Sequence, residues 1–303
     1  MPEITLNFLQ SLYQGVQTSF NQYLGAAPGH YRKLCMMVDS KHRSETYPRL
    51  DQLPGIREWI GDRIVHSLSA GSYAVRNKKF EETIGIERED IEDDAFGLFN
   101  LAIQQLGVNA GEFPDLLTAR MINGGGSSLG PDGQYFFDTD HPSWDATGTA
   151  ISASNYQSGA GAAWYLLDLS RPLKPFLFQN RVPFDIAARQ SLQDPTVFEK
   201  DKFVWGTRGR CNAGFGLWQL AFKSKADLTK ANVDAAVTAM GSRFRPDGAP
   251  IAISPTHLMV PKALEGRGRA IVNNEFIGVS GSGAENNEWK GFAELLINPW
   301  LNG

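Results

Sequence analysis

Residues 5–24 place Leu9, Leu12, Tyr13, Val16, Phe20, Tyr23 and Leu24 at three- and four-residue spacing. On a helix of 3.6 residues per turn these positions make one apolar stripe. Gly25 and Pro28 end it, the first by loosening the backbone and the second by removing a donor. A stripe of large apolar side chains must be covered, and the spacing leaves two covers open. The helix folds back on its own chain, or it lies on a neighbouring molecule.

The period then changes. Across 64–90, Tyr73 and Val75 alternate with polar residues, Asn77-Lys78-Lys79 interrupts, and Phe80, Ile84 and Ile86 alternate with Glu81, Thr83, Gly85 and Glu87. Period-two alternation on both sides of a polar break predicts a β-hairpin with its tip at 77–79. Such a hairpin has few apolar residues to anchor it, and an isolated two-stranded ribbon is marginal in water, so it must lean on something else. The acidic run that follows (Glu87, Glu89, Asp90, Glu92, Asp93, Asp94) has no EF-hand spacing. It reads as the favourable first turn of a helix carrying Ala95, Phe96, Phe99, Ala102, Ile103 and Leu106 on one face. Gly107 and Gly111 should loosen that helix, and Pro114 should start or kink a second segment with Leu116, Leu117, Met121 and Ile122. Residues 127–161 read as loops. Residues 163–222 are aromatic and β-rich, with segments such as Trp164–Leu169, Lys174–Phe178, Lys202–Trp205 and Phe215–Phe222. The stretch 228–303 is α/β, with Thr229 capping a helix bearing Val233, Ala236, Val237 and Met240, a buried strand at Leu258-Met259-Val260 and a last strand at Phe292–Ile297.

Charge and cysteine usage narrow the function. The 303 residues carry 29 basic and 33 acidic side chains, a net charge of −4, which lacks the basic excess that duplex nucleic acid binding draws on. Arg208–Arg210 and Gly266-Arg267-Gly268-Arg269 read as loop or interface charges. Cys35 and Cys211 are far apart with no CxxC, so neither a disulfide framework nor a zinc site is expected; both read as small buried residues in a chain made in a reducing cytoplasm. No basic residue precedes His30 and no apolar run approaches a membrane span, which predicts a soluble chain without a signal peptide.

Asp138, Asp140 and His141 are the strongest candidates for metal chemistry, since a metal hydrolase needs carboxylates and imidazoles converging on one ion. His30, His42, His66 and His257 are the remaining imidazoles, and none completes an HExxH or HxH pair. A turn before Pro142, with aspartates accepting backbone N–H groups, accounts for the same residues. Gly124-Gly125-Gly126 lacks the GK[ST] of a phosphate loop. Ser127, Ser280 and Ser282 lie outside any GxSxG elbow, and no motif ties either cysteine to a histidine. The expectation is no catalytic residue, no cofactor and no metal.

Several stretches resemble the Mu-like major head subunit family, gpT. They are Arg57-Glu58-Trp59-Ile60-Gly61, Asn77-Lys78-Lys79-Phe80-Glu81-Glu82-Thr83-Ile84-Gly85, Arg88-Glu89-Asp90-Ile91-Glu92-Asp93-Asp94, Asp132-Gly133-Gln134-Tyr135-Phe136-Phe137-Asp138 with His141-Pro142, Trp164 through Phe176, Gly216-Leu217-Trp218-Gln219 and Pro255 through Pro261. They span nearly the whole chain in consistent order, and the set is what is specific. The resemblance implies the α+β tailed-phage major capsid fold. Its parts would be an N-terminal arm (1–55), an E-loop hairpin (56–92), a peripheral domain with a spine helix (93–125 and 163–222) and an axial domain (126–162 and 223–303). The order departs from many relatives of that fold, in which the aromatic β-rich piece follows the axial unit. The implied function is a structural shell subunit, not an enzyme, that self-assembles into an icosahedral head enclosing DNA without sequence-specific binding. Its implied partners are copies of itself in hexamers and pentamers, a separate scaffold protein, a portal and decoration proteins. In such shells the arm and hairpin lie on neighbours, which makes Leu9, Leu12, Phe20, Asn77, Lys78, Lys79, Glu81 and Glu82 the expected contacts between subunits. The alternatives are an encapsulin shell, which shares the fold, and a metal-dependent hydrolase.

Overall fold

The computed structural model describes residues 6–47, 73–93, 97–191, 193–279 and 283–302. In chain order the elements are helix α1 (Leu6–Gly25), the short helix α2 (His30–Leu34), strands β1 (Cys35–Asp39), β2 (Ser44–Tyr47), β3 (Tyr73–Arg76) and β4 (Lys78–Glu87), the short helix α3 (Arg88–Glu92) and the long helix α4 (Leu98–Asn123). Next come β5 (His141–Trp144), β6 (Ala150–Ala153), β7 (Tyr156–Gln157), β8 (Trp164–Leu167), β9 (Phe176–Arg189), α5 (Pro195–Lys200), β10 (Lys202–Phe215) and β11 (Ala221–Ser224). The last are α6 (Lys230–Gly241), β12 (His257–Val260), α7 (Glu265–Asn273), β13 (Phe276–Val279), β14 (Gly283–Asn286) and β15 (Glu294–Ile297). No helix of the described residues is long and apolar enough to cross a membrane.

The N-terminal stripe is covered by its own chain. Leu9, Val16 and Phe20 of α1 are buried with Ile103, Leu106 and Ala110 of α4 and with Ile186, Phe203 and Trp205 of the sheet beneath. Gly107 and Gly111 do not loosen α4. They are where it meets α1: a Cβ on Gly107 would stand 2.7 Å from the Phe20 carbonyl oxygen, and one on Gly111 2.7 Å from that of Leu24. Nor does Pro114 start a new segment. The helix runs through it, and the carbonyl of Pro114 accepts the Thr118 hydroxyl at 2.9 Å. The acidic run does not cap α4, whose first turn holds no acidic residue; Glu89 and Asp90 sit instead in the first turn of α3. Ala95, Phe96 and Asp94 lie outside the described residues.

Strands β1-β9-β10-β4 form a four-stranded sheet. Its spine is the 14-residue ribbon of β9 and β10, antiparallel and broken by register shifts around Arg210. Burial alternates along β10, with Phe203, Trp205 and Thr207 inward under the helices, as expected of a sheet covered on one face. Phe99 of α4 packs on Trp205 with ring centroids 4.8 Å apart. The predicted hairpin with a tip at 77–79 is not formed. β3 pairs with β2, while β4 pairs along its whole length with β10, from Lys78↔Cys211 to Glu87↔Lys202. Asn77 is the residue at which the chain passes from one partner to the other. Pairing with a 14-residue strand gives β4 the support that a free ribbon would lack. Residues 64–72 of that expected hairpin, Arg57-Glu58-Trp59-Ile60-Gly61 and His66 lie outside the described residues.

A second sheet has the order β15-β12-β8-β11-β7. Its central strand, Trp164-Tyr165-Leu166-Leu167, is buried at every residue, which is why it reads as an unbroken apolar run. Trp164 and Leu166 face α6 and α7 through Val233, Ala236, Met240, Ile271 and Val272. Tyr165 and Leu167 face the other way, into a core with Phe136, Phe137, Phe176, Phe178 and Phe215 that joins the two sheets. The stretch 163–222 is thus divided: β8 and β11 belong to this sheet, β9 and β10 to the other. Long-range pairing, not composition, separates them. The helix at 230–241 is as expected, with the Thr229 hydroxyl accepting the Asn232 N–H.

The α1–α4 approach fixes the sign of a substitution. Alanine for glycine in an open helix stabilises by about 0.5–1 kcal/mol, whereas forcing a methyl into a packed contact costs about 1–3 kcal/mol. Gly107→Ala and Gly111→Ala should therefore lower the urea midpoint of the purified chain. Gly15→Ala on α1, where an added Cβ meets nothing within 4 Å, should raise it.

Candidate functional site

The residues with chemical potential are built into turns and packing. His141, at the start of β5, is fully buried and stacks on Trp218 with ring centroids 4.1 Å apart and planes 9° from parallel. Its Nδ1 lies 2.6 Å from Asp132 Oδ2 and its Nε2 3.2 Å from Asn155 Oδ1. Asn155 is oriented by its amide group, which donates to the Phe136 carbonyl at 2.8 Å, leaving Oδ1 to accept the Asp138 N–H at 3.0 Å. Arg243 closes the stack, its guanidinium 5.1 Å from the Trp218 ring and donating to the Ser154 carbonyl. The partners of His141 are therefore Asp132 and Asn155, not Asp138 and Asp140. Asp138 Oδ1 accepts the Thr139 N–H at 2.8 Å, as a turn residue does, and Asp140 is exposed. Sequence reasoning missed Asp132, although Gly130-Pro131-Asp132-Gly133 marks a turn whose side chain points back into the fold. No group of three or more His, Cys, Asp or Glu side chains converges among the described residues.

The other candidates resolve in the same way. Burial pushes the thiols of Cys35 and Cys211 up to about 12, so neither is a thiolate nucleophile near neutrality. Gly125, in a single 3₁₀ turn, abuts Phe137, where a Cβ would stand 2.6 Å from the ring; the turn is a packing site and not a phosphate cradle. His257 lies 3.3 Å from Glu294, and burial holds its imidazole below the usual value. Asp115, 98% buried, accepts the N–H groups of His30 and Tyr31 at 3.2 and 2.5 Å and so caps α2.

The expected contact residues sort into two sets. Leu9 and Phe20 are 4% and 0% exposed within their own chain, with Leu12 packed beside them, so α1 buries this stripe against its own chain. Asn77 is likewise internal. Its amide group donates to Ser40 Oγ at 2.7 Å and to the His42 carbonyl at 3.0 Å, and its Oδ1 accepts from the fully buried Gln179 at 3.1 Å. Tyr47 donates to the other side of Gln179 at 2.7 Å. This network ties the β2–β3 pair to β9. Lys78, Lys79 and Glu81 are exposed and Glu82 is half-buried, its carboxylate accepting from Asn109 at 2.9 Å. Lys78 and Lys79 share an open depression of about 660 Å³ with Arg43, Arg76, Asn77 and Arg210.

Two measurements follow from these roles. His141→Ala removes a fully buried ring from its stack on Trp218 and its contacts to Asp132 and Asn155, a large-to-small core change that should cost about 3–5 kcal/mol, while Asp140→Ala should fall within about 0.5 kcal/mol of the parent; equal losses in urea unfolding would refute the assignment. Asn77→Leu removes three hydrogen bonds, to Ser40, Gln179 and the His42 carbonyl, and should cost about 1–3 kcal/mol, whereas Lys78→Ala and Lys79→Ala should leave the midpoint unchanged.

The sequence matches the family described as Mu-like prophage major head subunit gpT over residues 9–301. It is 36% identical over 304 residues to the major capsid protein of Escherichia phage Mu, covering 98% of this chain and 99% of that protein. It is 35% identical over 313 residues to the Mu-like prophage FluMu major head subunit of Haemophilus influenzae, covering 99% and 100%. The fold superposes on a chain from the procapsid of bacteriophage JBD30 with a TM-score of 0.84 at 38% identity, covering 98% of this chain and 100% of that one. With a match of this extent, the chain belongs to the Mu-like prophage major head subunit gpT family.

Proposed function

We propose that this chain is the major capsid subunit of a Mu-like phage and builds the icosahedral head around the DNA by self-assembly. The observation that carries the reading is the end-to-end match, in sequence and in fold, to head subunits and to a chain of an assembled procapsid. The protein is structural, is no enzyme, and resides in the capsid of the virion. The buried histidine and cysteines fit this role, since each is consumed by packing or internal hydrogen bonds. The hydrolase and encapsulin readings have no comparable support.

The finer assignments follow the topology. The four-stranded sheet with α1 and α4 is read as the peripheral domain, α4 being the spine helix, and the five-stranded sheet with α6 and α7 as the axial domain. The E-loop is assigned to residues 56–92, of which 56–72 lie outside the described residues. Hexamers and pentamers are the proposed assembly units, with a separate scaffold, a portal and decoration proteins as partners. Phe198, Leu98, Phe276 and Leu101, 84%, 63%, 58% and 55% exposed, offer apolar surface that contact between subunits would bury.

Co-expression with the phage scaffold should give closed particles in negative-stain micrographs and capsomers in sedimentation. Compact monomer at every concentration, with scaffold present, would overturn the proposal.

A further inference from the structure

Five cations, Arg43, Arg76, Lys78, Lys79 and Arg210, surround Asn77 in one open depression of about 660 Å³. Among the described residues none of their side chains makes an ion pair or hydrogen bond, and Arg210 Nε is buried with no partner. Like charges held this close repel one another, and solvent screening alone is a poor cover for a partly buried guanidinium. At the far end of the same edge strand the sign reverses. Glu89, Asp90 and Asp93 are exposed just past β4, and no cation among the described residues pairs with them.

Geometry keeps the two ends apart. The register puts Lys78 opposite Cys211 and Glu87 opposite Lys202, so the ends of β4 are about 30 Å apart at ~3.3 Å per residue. That is several times the Debye length of about 8 Å at physiological ionic strength. Among the described residues the two ends do not neutralise one another within a subunit, which makes each end a candidate for contact with a neighbour. A nucleic acid would cover the basic end alone and be repelled by the other. A second copy of the chain covers both at once. Opposite charges at the two ends of one edge are a head-to-tail complementarity, the kind that closes into rings.

Resting on the shell reading above, we propose that the basic depression around Asn77 receives the acidic α3 end, Glu89, Asp90 and Asp93, of the adjacent subunit, and that this contact sets the register of neighbours in the ring. Phe198 of α5 and Leu98 at the start of α4 are 84% and 63% exposed and are available for burial by a neighbour.

Reversal of charge tests it in whole subunits co-expressed with scaffold. Lys78→Glu with Lys79→Glu should lower particle yield at least ten-fold, as should Glu89→Lys with Asp90→Lys, each with an unchanged unfolding midpoint; Lys78→Gln with Lys79→Gln serves if the reversal disturbs folding. The quadruple variant, with both ends exchanged, should regain at least half of the wild-type yield. Normal particles from the lysine pair at both low and high salt would overturn the inference, as would a quadruple variant that folds but stays assembly-dead. Loss of binding to double-stranded DNA in the lysine pair alone, with the acidic reversal silent in assembly, would identify nucleic acid as the occupant and overturn it as well. If the wild type makes no particles, the shell reading itself fails; if it does and the reversals have no effect, only this contact fails.

Discussion

The 26-residue helix α4 lies against α1 at backbone distance because Gly107 and Gly111 present no side chain there. Much of the fold hangs on that approach. It brings the α1 stripe down over Phe203 and Trp205, sealing one face of the β9–β10 ribbon. Farther along the same helix, Asp115 caps α2, and α2 leads directly into β1, which pairs in parallel with β9. One helix therefore positions the chain that precedes it and the sheet that follows it. Any bulk added at the two glycines acts on a backbone carbonyl, which cannot move aside as a flexible side chain would.

The second constraint is that two sheets share one core. Phe136 stacks on Phe215 at 4.4 Å and 16°, with Phe137 against Tyr165 at 5.5 Å, so aromatic rings from the 127–137 loop fill the space between β10 and β8. Two polar clusters enter this interior with their partners. Asp132, His141 and Asn155 satisfy one another, and Asn77, Gln179, Ser40 and Tyr47 do the same beneath the β2–β3 pair. A group whose donors and acceptors are all engaged, and which water cannot reach, is a structural element and not a reagent. That is how a chain with a buried histidine-carboxylate pair can carry no chemistry.

What the interior does not consume lies outside. The described surface keeps large apolar side chains exposed and separates its charges along β4, positive where the chain leaves Asn77 and negative where it enters α3. Apolar side chains of this kind can gain free energy by burial in an association, which suits a shell subunit.

Local chemistry was legible in the residues alone. The period of 5–24 determined an amphipathic helix, Thr229 determined a helix start, and Leu258-Met259-Val260 determined a buried strand, because these depend on neighbours in sequence. The ordered patches determined the family. Pairing was not legible. Alternation around Asn77 looked the same whether β3 met β4 or, as the fold has it, each met a different strand, since period two reports that a strand is half-covered and not by what. Gly107 and Gly111 read as helix breakers because propensity is local, yet their role is set by carbonyls more than eighty residues away in sequence. His141 was singled out with Asp138 and Asp140 because they are adjacent in sequence, whereas its partners come from a turn nine residues before it and a loop fourteen after. The residues determined which side chains had to be covered or satisfied. Only the tertiary structure decided by what, because long-range contacts are chosen by the packing of the whole chain and leave no period in the sequence.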